Sequence, residues 1–341
     1  MCIATYVFAC IAFSANAQDA VFSQFYNSTL YLNPALAGIE QDVTVVFGHR
    51  SQWRALQFPY TTTQVSAIIP YYKSRHTKPL GRIGGVGVSI YQDRAGENNN
   101  FKTTGGNISG AYNLPLDKAH VNVFTFGMQI GAINKNVDPQ GLQWGEQYNP
   151  YVGFDADISP SDVSSLRGRT FIDINAGVFY WWSPINTGRN LINSANSGLS
   201  VSHLNHPNES LLDTESQQLP LLWKYHGGMV FNMSHKALAS VNLLTATQDR
   251  SVQYNVGTYF SYKLTTIHEG KMRYGVARLG TWYRVKDSFI LLTEFETAIF
   301  KVAFSYDWNT SSLRYQNRGV GTYEINLQYR FATHGPAKIR Y

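Results

Sequence analysis

The sequence predicts an all-β fold, a transmembrane antiparallel β-barrel of about fourteen strands. The first observation is the closing stretch 323–331, which alternates apolar and polar residues without interruption. A period of two places Tyr323 and Phe331 on one face of a strand and Glu324 on the other. The second observation is that this alternation recurs along most of the chain, and the third is a segment at the start of the chain that has the pattern of an export signal.

Composition favours a membrane location over a soluble β-sandwich, which one alternating strand alone would leave open. Aromatic residues make up 14% of the chain and charged residues 15%, below the charged content of about 25% that is usual in soluble domains. After residue 17 no apolar run approaches the roughly 18 residues that a spanning helix needs. A closed barrel is the strand arrangement that leaves no unpaired backbone facing lipid.

Residues 1–17 are expected to be a signal peptide. An apolar run is followed by Ala15-Asn16-Ala17, which predicts cleavage after Ala17. No Lys or Arg precedes the run, which indicates a translation start upstream of Met1. Both cysteines, Cys2 and Cys10, lie in this segment, so the mature chain is expected to have neither a disulfide framework nor a cysteine-ligated metal site.

The rest of the chain divides into three predicted parts. Residues 18–40 form an extended N-terminal segment on the periplasmic side or inside the barrel, residues 41–331 form the outer-membrane barrel, and residues 332–341 form a basic C-terminal tail. A tilted membrane strand needs about 9–11 residues. Candidates of this kind lie near 42–54, 60–71, 83–92, 101–113, 120–133, 170–182, 197–204, 221–233, 238–247, 251–263, 271–284, 288–296, 298–308 and 321–331.

Loop lengths give an internal test of this strand count. With both termini in the periplasm, every second connection faces outward and should be the longer kind. The gaps at 134–169, 205–220 and 309–320 fall on the outward side, whereas the gap at 183–196 breaks the rule. The 134–169 gap contains three prolines and several acidic residues. We expect this loop to contact an extracellular partner, because loops of such length are usually functional or disordered.

Charge and motifs argue against catalysis and against nucleic-acid binding. The net charge of +6 suits lipopolysaccharide phosphates or an acidic partner, and dispersed solvated charge explains it equally well. No basic run with interleaved aromatic residues indicates nucleic acid. Ser202 and His203 are adjacent on a predicted strand and point to opposite faces, so they cannot form a nucleophile–base pair. The sequence therefore predicts no enzyme, no cofactor and no metal.

Several stretches together resemble one known family. They are Phe22-Ser23-Gln24-Phe25, the stretch 31–38 with its Asn33-Pro34 turn, Arg50-Ser51-Gln52-Trp53, the mid-chain stretch 198–207 and the closing strand. This combination is similar to the PorP/SprF family, outer-membrane proteins of the type IX secretion system in Bacteroidetes. The tail 332–341 departs from the family, because it lacks the cysteine found in many members.

The resemblance implies a non-enzymatic barrel in the cell outer membrane that works with a large secreted adhesin, often a gliding-motility filament. The adhesin would carry a type B C-terminal domain, and the barrel would support its export and hold it at the cell surface. The resemblance also implies that the translocation pore is a separate, larger protein, and that periplasmic ring or motor components are neighbours. The alternative is an outer-membrane porin or uptake channel, which needs an open lumen lined with charge.

The opening motif supplies the candidate site. Its aromatic side chains would expose a sizeable apolar patch if the segment stayed in water. A barrel of about fourteen strands is also wider than the eight-stranded barrels that side chains alone can fill. We expect the segment to plug the lumen or to close the periplasmic mouth, either as a structural tether or as a partner-binding element. The predicted plug or partner-binding residues are Phe22, Gln24, Phe25, Tyr31, Asn33, Pro34, Arg50 and Trp53.

Overall fold

The computed structural model is a closed antiparallel barrel of fourteen strands, as predicted. It describes residues 22–52, 59–72, 82–96, 99–140, 142–149, 151–161, 163, 166–184, 190–212, 216–268, 271–311 and 320–331. Each barrel strand pairs with its neighbours in sequence, and the first strand pairs with the last to close the wall. Closure leaves no strand edge along the wall, which is what a lipid environment demands. The predicted signal peptide at 1–17 and the tail at 332–341 lie outside the described residues.

The strands and helices have the following bounds. The barrel consists of β1 (Val43–Gln52), β2 (Tyr60–Tyr72), β3 (Arg82–Ala95), β4 (Phe101–Pro115), β5 (Asn122–Val137), β8 (Arg169–Trp182), β9 (Ile192–Ser202), β10 (Leu222–Asn232), β11 (Ala237–Gln248), β12 (Ser251–His268), β13 (Lys271–Arg284), β14 (Ser288–Thr297), β15 (Phe300–Asn309) and β16 (Thr322–Phe331). A small hairpin outside the wall is formed by β6 (Tyr148–Asn149) and β7 (Gly153–Phe154). The helical elements are α1 (Thr29–Leu32) and the 3₁₀ helices Pro34–Gly38 and Gly145–Gln147.

Both ends of the barrel chain lie at the same mouth. Val43, which begins β1, is directly opposite Phe331, which ends β16. We call this mouth the terminal end. The opposite mouth, which we call the loop end, carries the long connections 138–168, 203–221 and 310–321. The three longest connections thus share one mouth, as expected of an outer-membrane barrel, although the loop end also carries short turns such as 249–250 and 285–287.

The wall has its apolar side chains outside and its polar side chains inside. In β16, Tyr329 and Phe331 are 48% and 51% exposed, whereas Glu324 is completely buried. The same alternation holds in β12, where Val252, Tyr254 and Phe260 face outward. A soluble sandwich would bury these apolar faces against each other. The exposed apolar band together with a polar interior therefore identifies a barrel built for lipid.

Three details differ from the sequence prediction. The strand expected at 197–204 begins at Ile192 and ends at Ser202, which shortens the connection before it to 183–191. The hairpin of β6 and β7 was not predicted. The segment expected to be extended at 18–40 contains α1 and a 3₁₀ helix, because Asn33-Pro34 ends one helical turn and starts another.

Among the described residues, no helix has the length and apolarity needed to cross a membrane.

Candidate functional site

The lumen is occupied by the N-terminal segment. We define residues 22–38 as the plug. Most of its side chains are buried, including the apolar Phe22, Phe25, Leu30 and Leu32. Phe22, Phe25 and Leu32 belong to one cluster with inward-facing apolar residues of the wall, namely Phe179, Leu244, Trp282 and Ile290. Leu30 packs separately with Ile68 of β2. The ring of Phe25 lies edge-on to that of Trp282, with centroids 5.0 Å apart. The plug therefore gives the barrel an apolar core inside an otherwise polar lumen.

The turn in the middle of the plug follows from its local sequence. Asn33 has an extended backbone, and its side-chain oxygen accepts a hydrogen bond from the Ala35 backbone N–H at 2.9 Å. Pro34 occupies the first position of the 3₁₀ helix, where its fixed φ is suitable and its missing N–H costs nothing. An Asn-Pro pair therefore caps and starts the short helix that turns the chain toward the terminal end.

The first half of the plug is held by a carboxylate of the closing strand. Glu324 accepts hydrogen bonds from the backbone N–H groups of Ser23, at 2.7 Å, and Gln24, at 3.2 Å. The Gln24 side-chain amide donates to the Ser305 hydroxyl at 3.1 Å and to the Glu324 carbonyl at 2.8 Å. Charge-assisted hydrogen bonds in a buried site are among the stronger ones in proteins. The wall thus fixes the backbone of the plug as well as its side chains.

Two arginines compensate the buried negative charge around Ser23. Arg50 and Arg284 each lie 3.5 Å from the same carboxylate oxygen of Asp307. That carboxylate also accepts a hydrogen bond from the Ser23 hydroxyl. The Arg50 and Asp307 side chains are almost completely buried. Buried charges persist only when they are paired, and this group joins β1, β13 and β15 to the plug.

The second half of the plug lies against glycines of the opposite wall. Gly127 of β5 and Gly177 of β8 are directly opposite each other. A Cβ added at Gly127 would collide with the backbone of Ala35, and one at Gly177 would collide with the Asn33 side chain. The Asn33 amide donates to the Val178 carbonyl at 2.9 Å. Glycine is therefore required at both wall positions by the close approach of the plug.

A cavity of about 100 Å³ lies between the plug and the loop end. Its lining combines aromatic rings with charged and polar groups: Tyr31, Tyr60, Tyr91, Phe101, Phe171, Asp93, Asp173, Lys135, His203 and Lys224. Tyr31 of the plug contributes to the cavity wall. The Lys224 ammonium lies 4.0 Å from the centre of the Tyr31 ring and donates to the Tyr31 carbonyl at 2.6 Å. We call this space the loop-end cavity.

The connection 203–221 folds inward and closes one side of the loop-end cavity. His203 has a left-handed backbone, with φ of 65°, and its Nδ1 lies 2.8 Å from the Asp173 carboxylate. Asn205 continues the wall where β9 has ended: its amide donates to the Ile172 carbonyl and its oxygen accepts from the Ile174 N–H. Leu219 packs on Ile133 and Phe171. The mid-chain stretch 198–207 is thus a structural part of the loop-end mouth.

Nearly the whole chain matches one known family. Residues 14–329 match the family described as type IX secretion system membrane protein PorP/SprF. The chain is a member of the PorP/SprF family. The resemblance predicted from the sequence is thereby confirmed, and this PorP/SprF protein is a membrane component of the type IX secretion system with an outer-membrane barrel fold.

Solved structures similar to this PorP/SprF protein are outer-membrane barrels at low sequence identity. The CymD monoaromatic hydrocarbon channel has 10% identity and a TM-score of 0.47, with 90% of this chain and 94% of that chain covered. A FadL homologue of Pseudomonas aeruginosa has 10% identity and a TM-score of 0.46 with the same coverage. Among curated protein sequences, none matches this chain.

The structure brings together most of the residues predicted for the site. Six of them lie in the plug inside the lumen of the PorP/SprF barrel: Phe22, Gln24, Phe25, Tyr31, Asn33 and Pro34. Arg50 lies in the wall beside Asp307, and Trp53 lies outside the described residues. Glu324, Asp307 and Lys224, which contact the plug directly, were missed. Glu324 and Asp307 could have been found from the sequence, since both fall on the polar face of an alternating strand and so were expected to point into the lumen.

Glu324→Ala is expected to loosen the first half of the plug in the PorP/SprF barrel. The change removes the acceptor for two plug N–H groups and costs about 1.5–3 kcal/mol for each charged hydrogen bond lost. We expect a cysteine placed at Phe25 to react faster with a soluble maleimide in this variant. Leu327→Ala on the outward face of the same strand is the matched control. Equal labelling rates in the two variants would contradict the assigned role of Glu324.

Proposed function

We propose that this PorP/SprF protein binds a large secreted adhesin through that adhesin's type B C-terminal domain, supports its export and anchors it at the cell surface. The protein would do so without catalysis, in gliding motility or adhesion. Membership of a type IX secretion family supports a role in secretion. The observation that carries the proposal is the filled lumen. Because the plug occupies the interior, binding at the mouths is favoured over flux through the barrel.

The loop end offers the surface for such a partner. In the connection 138–168, the hairpin of β6 and β7 presents Tyr151 and Val152, which are 95% and 79% exposed. The hairpin rests on an ordered base, since the Glu146 carboxylate accepts hydrogen bonds from the Ser161 hydroxyl and backbone N–H. These bonds hold the pKa of Glu146 below its ordinary value. Exposed aromatic and branched side chains on an ordered loop are typical of interaction sites.

We infer the remaining partners from the side of the membrane that each part of the barrel would face. The terminal end would face the periplasm, where the chain would meet the secretion translocon and the periplasmic ring or motor components. The outward apolar band would contact outer-membrane lipid and lipopolysaccharide. Residues 1–17 would be removed as a signal peptide during export. The alternative role, a diffusion porin or uptake channel, requires an open lumen, which the buried plug opposes.

Surface display of the partner tests the proposal. In the source bacterium, a strain lacking this chain is expected to lose the cognate adhesin from the cell surface, measured by protease shaving and immunofluorescence. The tagged barrel, purified from native membranes, should retain that adhesin, and an adhesin truncated before its C-terminal domain should not be retained. An unrelated outer-membrane barrel with the same tag is the control. Unchanged display in the deletion strain would refute the proposal.

A further inference from the structure

We propose that the loop-end cavity is a docking subsite for one aromatic side chain carried by an extended segment of the secreted partner. The inference rests on the proposed function, and it adds the place and the chemistry of the contact. The cavity lies between the plug and the loop end, and its lining includes Tyr60 and Phe101, which begin β2 and β4 at that mouth. This is the mouth assigned to the partner. At about 100 Å³ it is of the same order as, and somewhat smaller than, the apolar cavity of roughly 150 Å³ that holds one benzene ring. It therefore accommodates a side chain and excludes a folded domain.

The cavity presents aromatic rings from several directions. Tyr60, Tyr91 and Phe101 come from β2, β3 and β4, Phe171 comes from β8, and Tyr31 comes from the plug. Tyr91 is held in place because its ring covers Gly105, where a Cβ would collide with it. Aromatic side chains prefer offset or edge-on contact with other rings, worth about 0.5–1.5 kcal/mol for each pair beyond the area buried. A ring entering this cavity would find such partners on opposite sides.

The charges around the cavity favour a neutral guest. Lys135 forms an ion pair with Glu209, and His203 lies 2.8 Å from Asp173. The Lys224 ammonium is engaged by the ring and carbonyl of Tyr31. The lining holds charges of both signs, two lysines and the carboxylates of Asp93 and Asp173, so it offers no clear net attraction to a guest of either sign. Burying a charged side chain without a dedicated counter-ion costs free energy, which a neutral aromatic side chain avoids.

The aromatic lining also discriminates among neutral guests. Offset and edge-on ring contacts are available to an aromatic side chain and not to an aliphatic one. The cavity therefore favours Trp, Tyr or Phe over an aliphatic side chain.

A blocking substitution with a matched control tests the subsite. Thr103 of β4 lines the cavity and is buried, so Thr103→Trp is expected to fill the space. Lys102, the preceding residue on the same strand, is exposed on the other face, so Lys102→Trp adds the same ring outside the barrel. Both variants of the full chain would be placed in lipid nanodiscs, with heat-modifiable migration on gels as the folding check. Phe101→Ala, which removes a ring at the mouth, serves if Thr103→Trp fails to fold.

The first measurement uses small probes and does not depend on the partner. N-acetyl-tryptophanamide is expected to give saturation-transfer signals with the wild type and with Lys102→Trp, and to lose affinity by about tenfold or more with Thr103→Trp. N-acetyl-lysinamide and N-acetylglucosamine should bind more weakly than the tryptophan probe. Stronger binding of either of these, or equal binding of the tryptophan probe by both Trp variants, would overturn the subsite.

The second measurement uses the purified C-terminal domain of the adhesin. If the subsite contributes to docking, Thr103→Trp should weaken its binding by about tenfold or more, and Lys102→Trp should leave it unchanged. Equal binding by both variants overturns the inference and leaves the proposed function standing. Failure of the wild-type barrel to bind the domain counts against the proposed function instead. In that outcome, the probe experiment decides whether the cavity accepts an aromatic ring.

Discussion

Removing the plug is expected to convert the closed barrel into an ion-conducting pore. Residues 22–38 fill the lumen and supply the apolar core that packs on Phe179 and Trp282. Without them, the remaining inward side chains are those of a barrel with fourteen strands. Such a lumen is wider than side chains alone can fill, so water and ions would enter it, and we expect single-channel conductance to rise by about tenfold or more.

The measurement is conductance in planar bilayers, with wild-type barrel purified in the same detergent as the reference. A variant in which residues 22–38 are replaced by a Gly/Ser linker of equal length separates loss of the plug from loss of chain length. Folding of each variant is checked by heat-modifiable migration. If the linker variant is folded and conducts no better than wild type, the plug does not close the lumen. The porin alternative would then regain support from the polar interior.

The closing strand shows why the wall could be predicted from sequence. Neighbouring residues of this strand differ strongly in polarity, since large apolar side chains alternate with Glu324, Asn326 and Gln328. A period of two fixes which face each residue occupies, and closure into a barrel then fixes which face meets lipid. The start of β9 lacks such an alternation of apolar and polar residues. Residues 193–197 are small or polar, so the strand could not be distinguished from a loop.

The contacts inside the lumen could not be predicted in the same way. Arg50 and Asp307 lie far apart in the chain, and they meet only because β1 closes onto β16 and β16 pairs with β15. The alternation pattern places each of them on the polar face of its own strand. No feature of the neighbouring sequence shows which residue of another strand each one contacts. The plug posed a similar problem. Its apolar residues were expected to seek burial, but the helical turns at α1 and Pro34–Gly38 depend on a few capping contacts.

The plug and the wall are therefore specified jointly. The half that carries Ser23 and Gln24 is held by hydrogen bonds and ion pairs to buried carboxylates and arginines. The half that carries Asn33 and Pro34 is held by close packing against the wall. The polar contacts require that the buried charges be paired, whereas the close packing requires wall glycines that leave room for the backbone of the plug. Replacing one of these glycines by a residue with a side chain should consequently displace the plug more readily than it disturbs the strand pairing of the wall.

Gly127→Val is expected to displace the plug while leaving the barrel closed. The new side chain would collide with the backbone of Ala35, and overpacking of this kind costs about 1–3 kcal/mol. Because Gly127 lies opposite Gly177, Gly177→Val should act in the same direction through Asn33. Both variants should conduct more than wild type and unfold at lower temperature.

Gly110→Val is the matched control for this prediction. Gly110 lies on the neighbouring strand, and a Cβ added there meets nothing within 4 Å, so conductance and unfolding temperature should not change. The decisive comparison repeats Gly127→Val in the barrel that lacks residues 22–38. If the glycine exists to admit the plug, the substitution should cost nothing there, because its collision partner is gone. An equal loss of stability with and without the plug would show that valine disturbs the wall itself.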